Sequence, residues 1–394
     1  MKPLRFGTDG IRGPSGTWPI DSRGARCVGR AVSHWTGGGE VLVGRDTRAS
    51  GVELEQAVTE GLIAGGSDVG LLGVLPTAAV SCAVEAHGAA AGIMITASHN
   101  QAEDNGLKVL GAGGGKLADT RDLESALDGA VRDVLVFAGS LGSERSLADP
   151  VAPWRSALPR ADLSGWSLLV DCAHGATAPF AADLFRDLGA RVVERGARPD
   201  GTNINLGCGA MDPPRDLEGC DLAIAFDGDG DRVALVIPGP RILDGDDLLW
   251  LLSREGEGPV VGTIMTNGGL EESLAGRLIR TPVGDRHVSE AMERTGALVG
   301  GEPSGHIMLQ EGPPTACGVY TALRVLASGR PLPALDWQRW PQVLRSVPSH
   351  HALETLRTPE LARQAGARVV VRYSGTEPVV RVMVEGTDAS HWVD

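Results

Sequence analysis

Short apolar runs separated by polar turns rich in glycine and proline recur along most of the chain, and they read as buried strands of α/β units. Residues 41–43 form one such run and lead into Gly44-Arg45-Asp46-Thr47-Arg48. Helical spacing after Gly51 predicts a helix covering the sheet, with Ser50 as its cap. Residues 68–95 read strand, helix, strand, the helix following Pro76 and the second strand ending at Ile95. That order favours a parallel sheet. Residues 106–110 place Lys108 on a neighbouring strand or turn. A second unit starts near Val151, with strands at residues 167–171, 190–194 and 222–226 and a turn and helix opening at Gly175 and Thr177. A third has a strand at 260–265, a helix at 270–278 and the polar turn Gly284-Asp285-Arg286-His287 before another helix. Pro331-Leu332-Pro333 reads as a linker to a small last unit with strands at 368–371 and 379–384. The fold class is therefore α/β, in segments 1–150, 151–239, 240–333 and 334–394.

The candidate chemistry lies where these strands end. Ile95-Thr96-Ala97-Ser98-His99-Asn100 emerges at the carboxyl edge of an apolar run, and Ser98 beside the small Ala97 can approach a metal, phosphate or sugar without crowding. The run 222–226 ends in Asp227-Gly228-Asp229-Gly230-Asp231-Arg232. Three carboxylates at alternate positions, with glycines that let the backbone wrap, gather oxygens around a hard cation, for which magnesium is the natural candidate. A calcium EF-hand is excluded by Arg232 and Pro238 at positions that need glycine and glutamate, and by the preceding strand. Gly300-Gly301-Glu302-Pro303-Ser304-Gly305-His306 offers Glu302, Ser304 and His306 for sugar hydroxyls. Arg372-Tyr373-Ser374-Gly375-Thr376-Glu377-Pro378 and Arg381 make a phosphate clamp. Near the start, Phe6-Gly7-Thr8-Asp9-Gly10-Ile11-Arg12-Gly13 lets backbone approach an anion, with Arg12 available to a phosphate. Arg45, Asp46 and Arg48 read as a structural ion-pair network, and Gly111 to Lys116 as a flexible turn, because the Ser or Thr of a nucleotide loop is missing after the lysine.

Composition narrows the classes. A chain of 394 residues calls for several cores, and small domains meeting at one cleft fit that length. The net charge of −14, from 36 basic and 50 acidic residues, argues against nucleic-acid or anionic-membrane partners. Six scattered cysteines without a Cys-x-x-Cys pair, and an amino terminus without an apolar signal core, predict a soluble cytoplasmic protein. Ser98 lacks the Gly-x-Ser-x-Gly elbow of serine hydrolases.

Five of these motifs, in this order, resemble those of the α-D-phosphohexomutases: residues 6–13, 96–100, 227–232, 301–306 and 372–378. Within that family the chain is most similar to the bacterial phosphoglucosamine mutases. The resemblance implies four domains around a central cleft, three similar mixed α/β domains and a smaller C-terminal α+β domain. It implies a phosphoryl group on Ser98, one magnesium ion held by Ser98, Asp227, Asp229 and Asp231, and Arg12, His99, Lys108 and Arg232 at the reacting phosphate. Glu302, Ser304 and His306 would grip the sugar, and Arg372, Ser374, Gly375, Thr376 and Arg381 the phosphate that is not reacting. The implied reaction interconverts glucosamine 6-phosphate and glucosamine 1-phosphate through a sugar bisphosphate that also serves as activator, in the supply of amino sugar to peptidoglycan. Lys108 and His99 both remain candidates for the proton acceptor, and a homodimer is left open. The alternatives are a phosphomannomutase or phosphoglucomutase, and a non-catalytic phosphosugar-binding protein. This chain departs from the family at Pro303, where similar mutases carry Gln or Asn, and proline there removes a backbone donor from the sugar loop.

Overall fold

The computed structural model describes residues 4–7, 10–136, 139–254, 256–348, 366–373, 379–386 and 389, whose strands fall into four sheets. The first combines β1 (Ile11–Pro14), β2 (Val41–Arg45), β3 (Val69–Val74), β4 (Ala91–Ile95), β5 (Asp104–Gly111) and β6 (Glu144–Ser146) in the order β1-β5-β4-β2-β3-β6. Helices α1 (Ser22–Trp35), α2 (Gly51–Ala64), α3 (Thr77–His87) and α4 (Arg121–Val131) connect or flank these strands. β2 pairs in parallel with β3 and β4, as the strand–helix–strand reading requires, whereas β5 lies antiparallel to both β4 and β1, so the sheet is mixed. Every residue of β4 is buried, the pattern of a strand covered on two faces.

After α5 (Ala152–Ala157), the second sheet takes β7 (Ser167–Asp171), β8 (Arg191–Arg195), β9 (Leu222–Phe226), β10 (Val233–Ile237) and β11 (Arg241–Leu243) in the order β11-β10-β9-β7-β8, with α6 (Ala181–Asp187) between β7 and β8. Helix α7 (Gly245–Ser253) leads to the third sheet, β13-β12-β14-β15, built from β12 (Val260–Thr263), β13 (Leu278–Thr281), β14 (Val299–Gly301) and β15 (Ile307–Leu309). It carries α8 (Gly268–Ser273), α9 (Asp285–Thr295) and, after it, α10 (Gly318–Ala327). The fourth sheet is antiparallel, β16-β18-β17, from β16 (Gln342–Pro348), β17 (Arg368–Tyr373) and β18 (Val379–Glu385).

One apolar cluster runs through the first three sheets, from Met94 and Trp154 by way of Phe185 and Phe226 to Leu249 and Leu323. These sheets share a core, so their edges are held in fixed relation around the polar loops between them. The fourth sheet is fastened to the third through hydrogen bonds. Gly268 N donates to Glu385 Oε1 (3.0 Å), Arg368 donates to the carbonyls of Ile264 (2.7 Å) and Thr266 (2.8 Å), and the Asn267 side chain exchanges two bonds with the Trp340 backbone.

Three local expectations change. Ser50 makes no capping bond at α2; its hydroxyl accepts from Asn105 Nδ2 instead (2.9 Å). The helix expected at residues 270–278 is the shorter α8. Leu270, Leu274 and Leu278 satisfy helical spacing, but Ala275 (φ 51°) and Gly276 (φ 86°) turn the chain left-handed, and Leu278 opens β13. The turn at residues 111–116 is fastened rather than loose. Ser81 Oγ donates to Gly114 O (2.7 Å), and Lys116 Nζ lies 2.7 Å from Asp285 Oδ2 with both side chains nearly buried.

Candidate active site

The loop after β4 puts Ser98 at the contact of the first two sheets, fully buried and with φ of 54°. Its Oγ donates to Asp227 Oδ2 at 2.7 Å, and its N–H donates to Thr96 Oγ1 at 2.8 Å. Thr96 Oγ1 in turn donates to Asp46 Oδ2 (2.6 Å), and Asp46 forms a wholly buried ion pair with Arg48 (2.9 Å). The structural network expected at these two residues is thus present, directly beneath the serine. Arg12, on β1, reaches the same loop and donates to Ala97 O at 3.4 Å.

Asp227 follows the last residue of β9, where an all-apolar strand meets the polar edge. A Cβ on Gly228 would lie 2.6 Å from Ser98 O, so only glycine lets the aspartate loop abut the serine loop this closely. Asp227, Asp229 and Asp231 are buried, and one oxygen from each lies within 4.8 Å of the others. Burial first, then the charges of Asp231 and Asp229, hold the Asp227 carboxyl well above its usual range, with Arg232 and the Ser98 hydroxyl opposing. Lys108, on β5, donates to Asp229 Oδ2 (2.7 Å) and Asp231 Oδ2 (2.9 Å), and Thr77 Oγ1 donates to the same Asp229 oxygen (2.6 Å). Asp229 Oδ1 is buried and accepts no hydrogen bond among the described residues. Crowded buried carboxylates with an orphaned oxygen are a donor set suited to a hard divalent cation. Arg232 Nε stands 4.0 Å from oxygens of both Asp227 and Asp231. His99 is pushed down to about 3, by burial first and then by Arg232 and Arg12, so its imidazole is neutral at ordinary pH, with a buried Nδ1 that makes no hydrogen bond among the described residues.

The third sheet adds the loop between β14 and β15. Glu302 Oε1 accepts from Gly284 N (2.8 Å), and Ser304 Oγ donates to Glu302 Oε2 (3.3 Å), which leaves both half-buried. His306 is set deeper. Its Nε2 lies 3.7 Å from Asp231 and 3.8 Å from Asp285, so this residue keeps company with the aspartate loop. On the fourth sheet Arg372 and Arg381 face each other across β17 and β18. Burial, then the neighbouring Arg381, lowers the Arg372 pKa, and Glu302 opposes that shift, so these strands look onto the Glu302 loop. Two like charges directly opposite are unfavourable unless an anion sits between them. Ser374, Gly375 and Thr376 lie outside the described residues.

Sequence reasoning missed Thr77, Asn205 and the Lys116–Asp285 pair. Asn205 Nδ2 donates to the carbonyls of Ser98 (2.9 Å) and Asn100 (2.8 Å) from the loop between β8 and β9.

The chain matches three descriptions of the phosphoglucomutase/phosphomannomutase family: alpha/beta/alpha domain I over residues 3–129, alpha/beta/alpha domain III over 244–331, and the C-terminal domain over 360–392. It is 42% identical to a phosphoglucosamine mutase of Teredinibacter turnerae, over 97% of this chain and 94% of that one, and 41% identical to one of Rhodospirillum rubrum, over 98% and 95%. A phosphoglucomutase/phosphomannomutase family protein of Burkholderia thailandensis superposes with a TM-score of 0.79 at 25% identity, over 98% of this chain and 94% of that chain. The fold also matches an N-acetylphosphoglucosamine mutase of Aspergillus fumigatus, solved with GlcNAc-6P and magnesium, at a TM-score of 0.67 and 18% identity, over 99% and 93%. With three family descriptions matched along the chain and relatives of about 40% identity over nearly all of it, the protein belongs to the phosphoglucomutase/phosphomannomutase family, the α-D-phosphohexomutases.

Proposed function

We propose that this chain is a phosphoglucosamine mutase that interconverts glucosamine 6-phosphate and glucosamine 1-phosphate. The observation that carries the reading is Ser98 Oγ, buried at 2.7 Å from Asp227 within the triad of carboxylates, in a chain whose relatives of about 40% identity carry that name. Ser98 bears the phosphoryl group and passes it to the free hydroxyl of the sugar phosphate, the bond to Oγ breaking and the hydroxyl proton ending on Oγ, which gives a bisphosphate and the free serine. That intermediate turns in the cleft, and its other phosphate returns to Ser98, so a trace of sugar bisphosphate activates the enzyme. Asp227, Asp229 and Asp231, with the phosphate on Ser98, would hold one magnesium ion, which when bound would supply positive charge to the phosphoryl oxygens. Lys108 and Arg232 add fixed positive charge beside the triad, and Arg12 approaches the serine loop from β1. Glu302 and Ser304 take sugar hydroxyls, while Arg372 and Arg381, with Ser374, Gly375 and Thr376, grip the distal phosphate. The four segments 1–150, 151–239, 240–333 and 334–394 act as the domains that close on it, in a cytoplasmic enzyme of amino-sugar supply.

Turnover measured in parallel on glucosamine, glucose and mannose 6-phosphates, with magnesium and a trace of bisphosphate, tests this reading. Preference for the glucosamine substrate is expected, and Ser98→Ala abolishes turnover. A preference for glucose or mannose overturns the sugar assignment and directs attention to Pro303; full activity in Ser98→Ala overturns the mechanism.

A further inference from the structure

Arg48 follows β2 and is wholly buried. Every N–H of its guanidinium is used. Nε donates to Asp46 Oδ2 (2.9 Å), Nη1 to the carbonyls of Gln101 and Asp104 (2.9 Å to the latter), and Nη2 to those of Ser98 (3.1 Å) and Asn100 (2.8 Å). Four carbonyls of one loop thus converge on one side chain. Asp46 closes the figure from below, since Oδ1 accepts from Arg48 N (3.0 Å) and Oδ2 from Thr96 Oγ1, whose oxygen accepts from Ser98 N. From the second sheet, Asn205 donates to the same Ser98 and Asn100 carbonyls.

We infer that Arg48, locked by Asp46, is a positioning residue for phosphoryl transfer, one that holds the Ser98 backbone left-handed and so aims Oγ at the aspartate loop. A non-glycine residue at φ of 54° persists only where its surroundings over-determine it, and here both the amide and the carbonyl of Ser98 are pinned. Arg48 is not a phosphate ligand, because its donors are spent on carbonyls and on Asp46. The charge of the pair is internally balanced, so its effect on the reaction is geometric. Lysine keeps the charge but is a point donor on a flexible stem and cannot span four carbonyls and a carboxylate.

The inference rests on the mutase reading, and Arg48→Lys tests it. Three quantities are measured on folded protein: steady-state turnover, phosphorylation of Ser98 by α-D-glucose 1,6-bisphosphate in a single turnover, and Mn2+ affinity. The expected result is a fall of about ten- to a hundredfold in kcat and in the rate of Ser98 phosphorylation, with KM and Mn2+ affinity within about twofold of the parent. Unchanged kcat and phosphorylation rate overturn the inference, as does a loss of Mn2+ affinity equal to the loss of rate, which marks a general collapse of the site. Thr96→Val, which cuts the Asp46 arm at similar volume, gives the same split if Arg48→Lys does not fold, and its failure to slow Ser98 phosphorylation also overturns the inference. If the parent is phosphorylated by the bisphosphate but turns over no glucosamine 6-phosphate, the sugar assignment fails while the positioning role stands.

Discussion

At Asp229 two oxygens have different duties. Oδ2 accepts from Lys108 and Thr77, while Oδ1 is buried without a hydrogen bond among the described residues. Asp229→Asn keeps the shape but replaces one oxygen with a donor and removes a charge from the triad, and cation affinity follows the count of charged ligands. Divalent-ion affinity is therefore expected to fall by about tenfold or more, with turnover falling alongside it; Mn2+ titration checks this, and parental affinity in the variant would remove Asp229 from the ligand set. Ser98 and the three aspartates were legible in the sequence because each motif is contiguous and lies at the end of an apolar run. Thr77 and Asn205 were not, because their partners Asp229 and Ser98 lie 152 and 107 residues away and neither residue type is distinctive alone. Arg48 was legible as an ion-pair residue, but its carbonyl partners leave no mark in side-chain identity.

Among the elements, the buried strands β4 and β9 fall where continuous apolar runs placed them, whereas helix ends depended on backbone signs that composition does not carry, as at Ala275 and Gly276. The N-terminus of α7 makes a pH prediction. Asp246 is pushed up to about 7, chiefly by burial and then by Asp244, while the Asn267 N–H (3.0 Å) and Arg339 (3.9 Å) pull it down; Asp247, itself beside Arg241, adds to the rise. Between pH 3.8 and about 7 the folded state therefore holds a proton that the unfolded chain, with its ordinary carboxyl, has released. Stability from this group is present at low pH and is lost as pH rises through that window, at no more than about 1.4 kcal/mol per pH unit. Asp246→Asn removes the titration and keeps an acceptor for Asn267. Its melting temperature relative to the parent should be higher at pH 8 than at pH 5, and an equal difference at both values would show that Asp246 does not titrate there.

On the scale of the whole molecule, a shared apolar core sets the first three sheets, and buried ion pairs register the polar loops at their meeting point. Lys108 joins β5 to the aspartate loop, and Lys116 joins the turn after β5 to Asp285, the first residue of α9. Asp285 also lies 3.8 Å from His306, which itself lies 3.7 Å from Asp231, so the Lys116 contact braces the third sheet against the cluster of carboxylates. A partner removed from such a pair leaves a charge buried without compensation, typically at a cost of about 3–5 kcal/mol, although the amino end of α9 offsets some of it for Asp285. Lys116→Met is thus expected to destabilise the protein by about 3 kcal/mol. Adding Asp285→Asn should recover part of that loss, because the stranded charge is then gone. Denaturant unfolding of the two single variants and the double variant measures the coupling; additivity within about 0.5 kcal/mol would mean that the two side chains do not act together. With coupling present, the turn at residues 111–116 is a structural strut between the first and third sheets, which its run of glycines concealed.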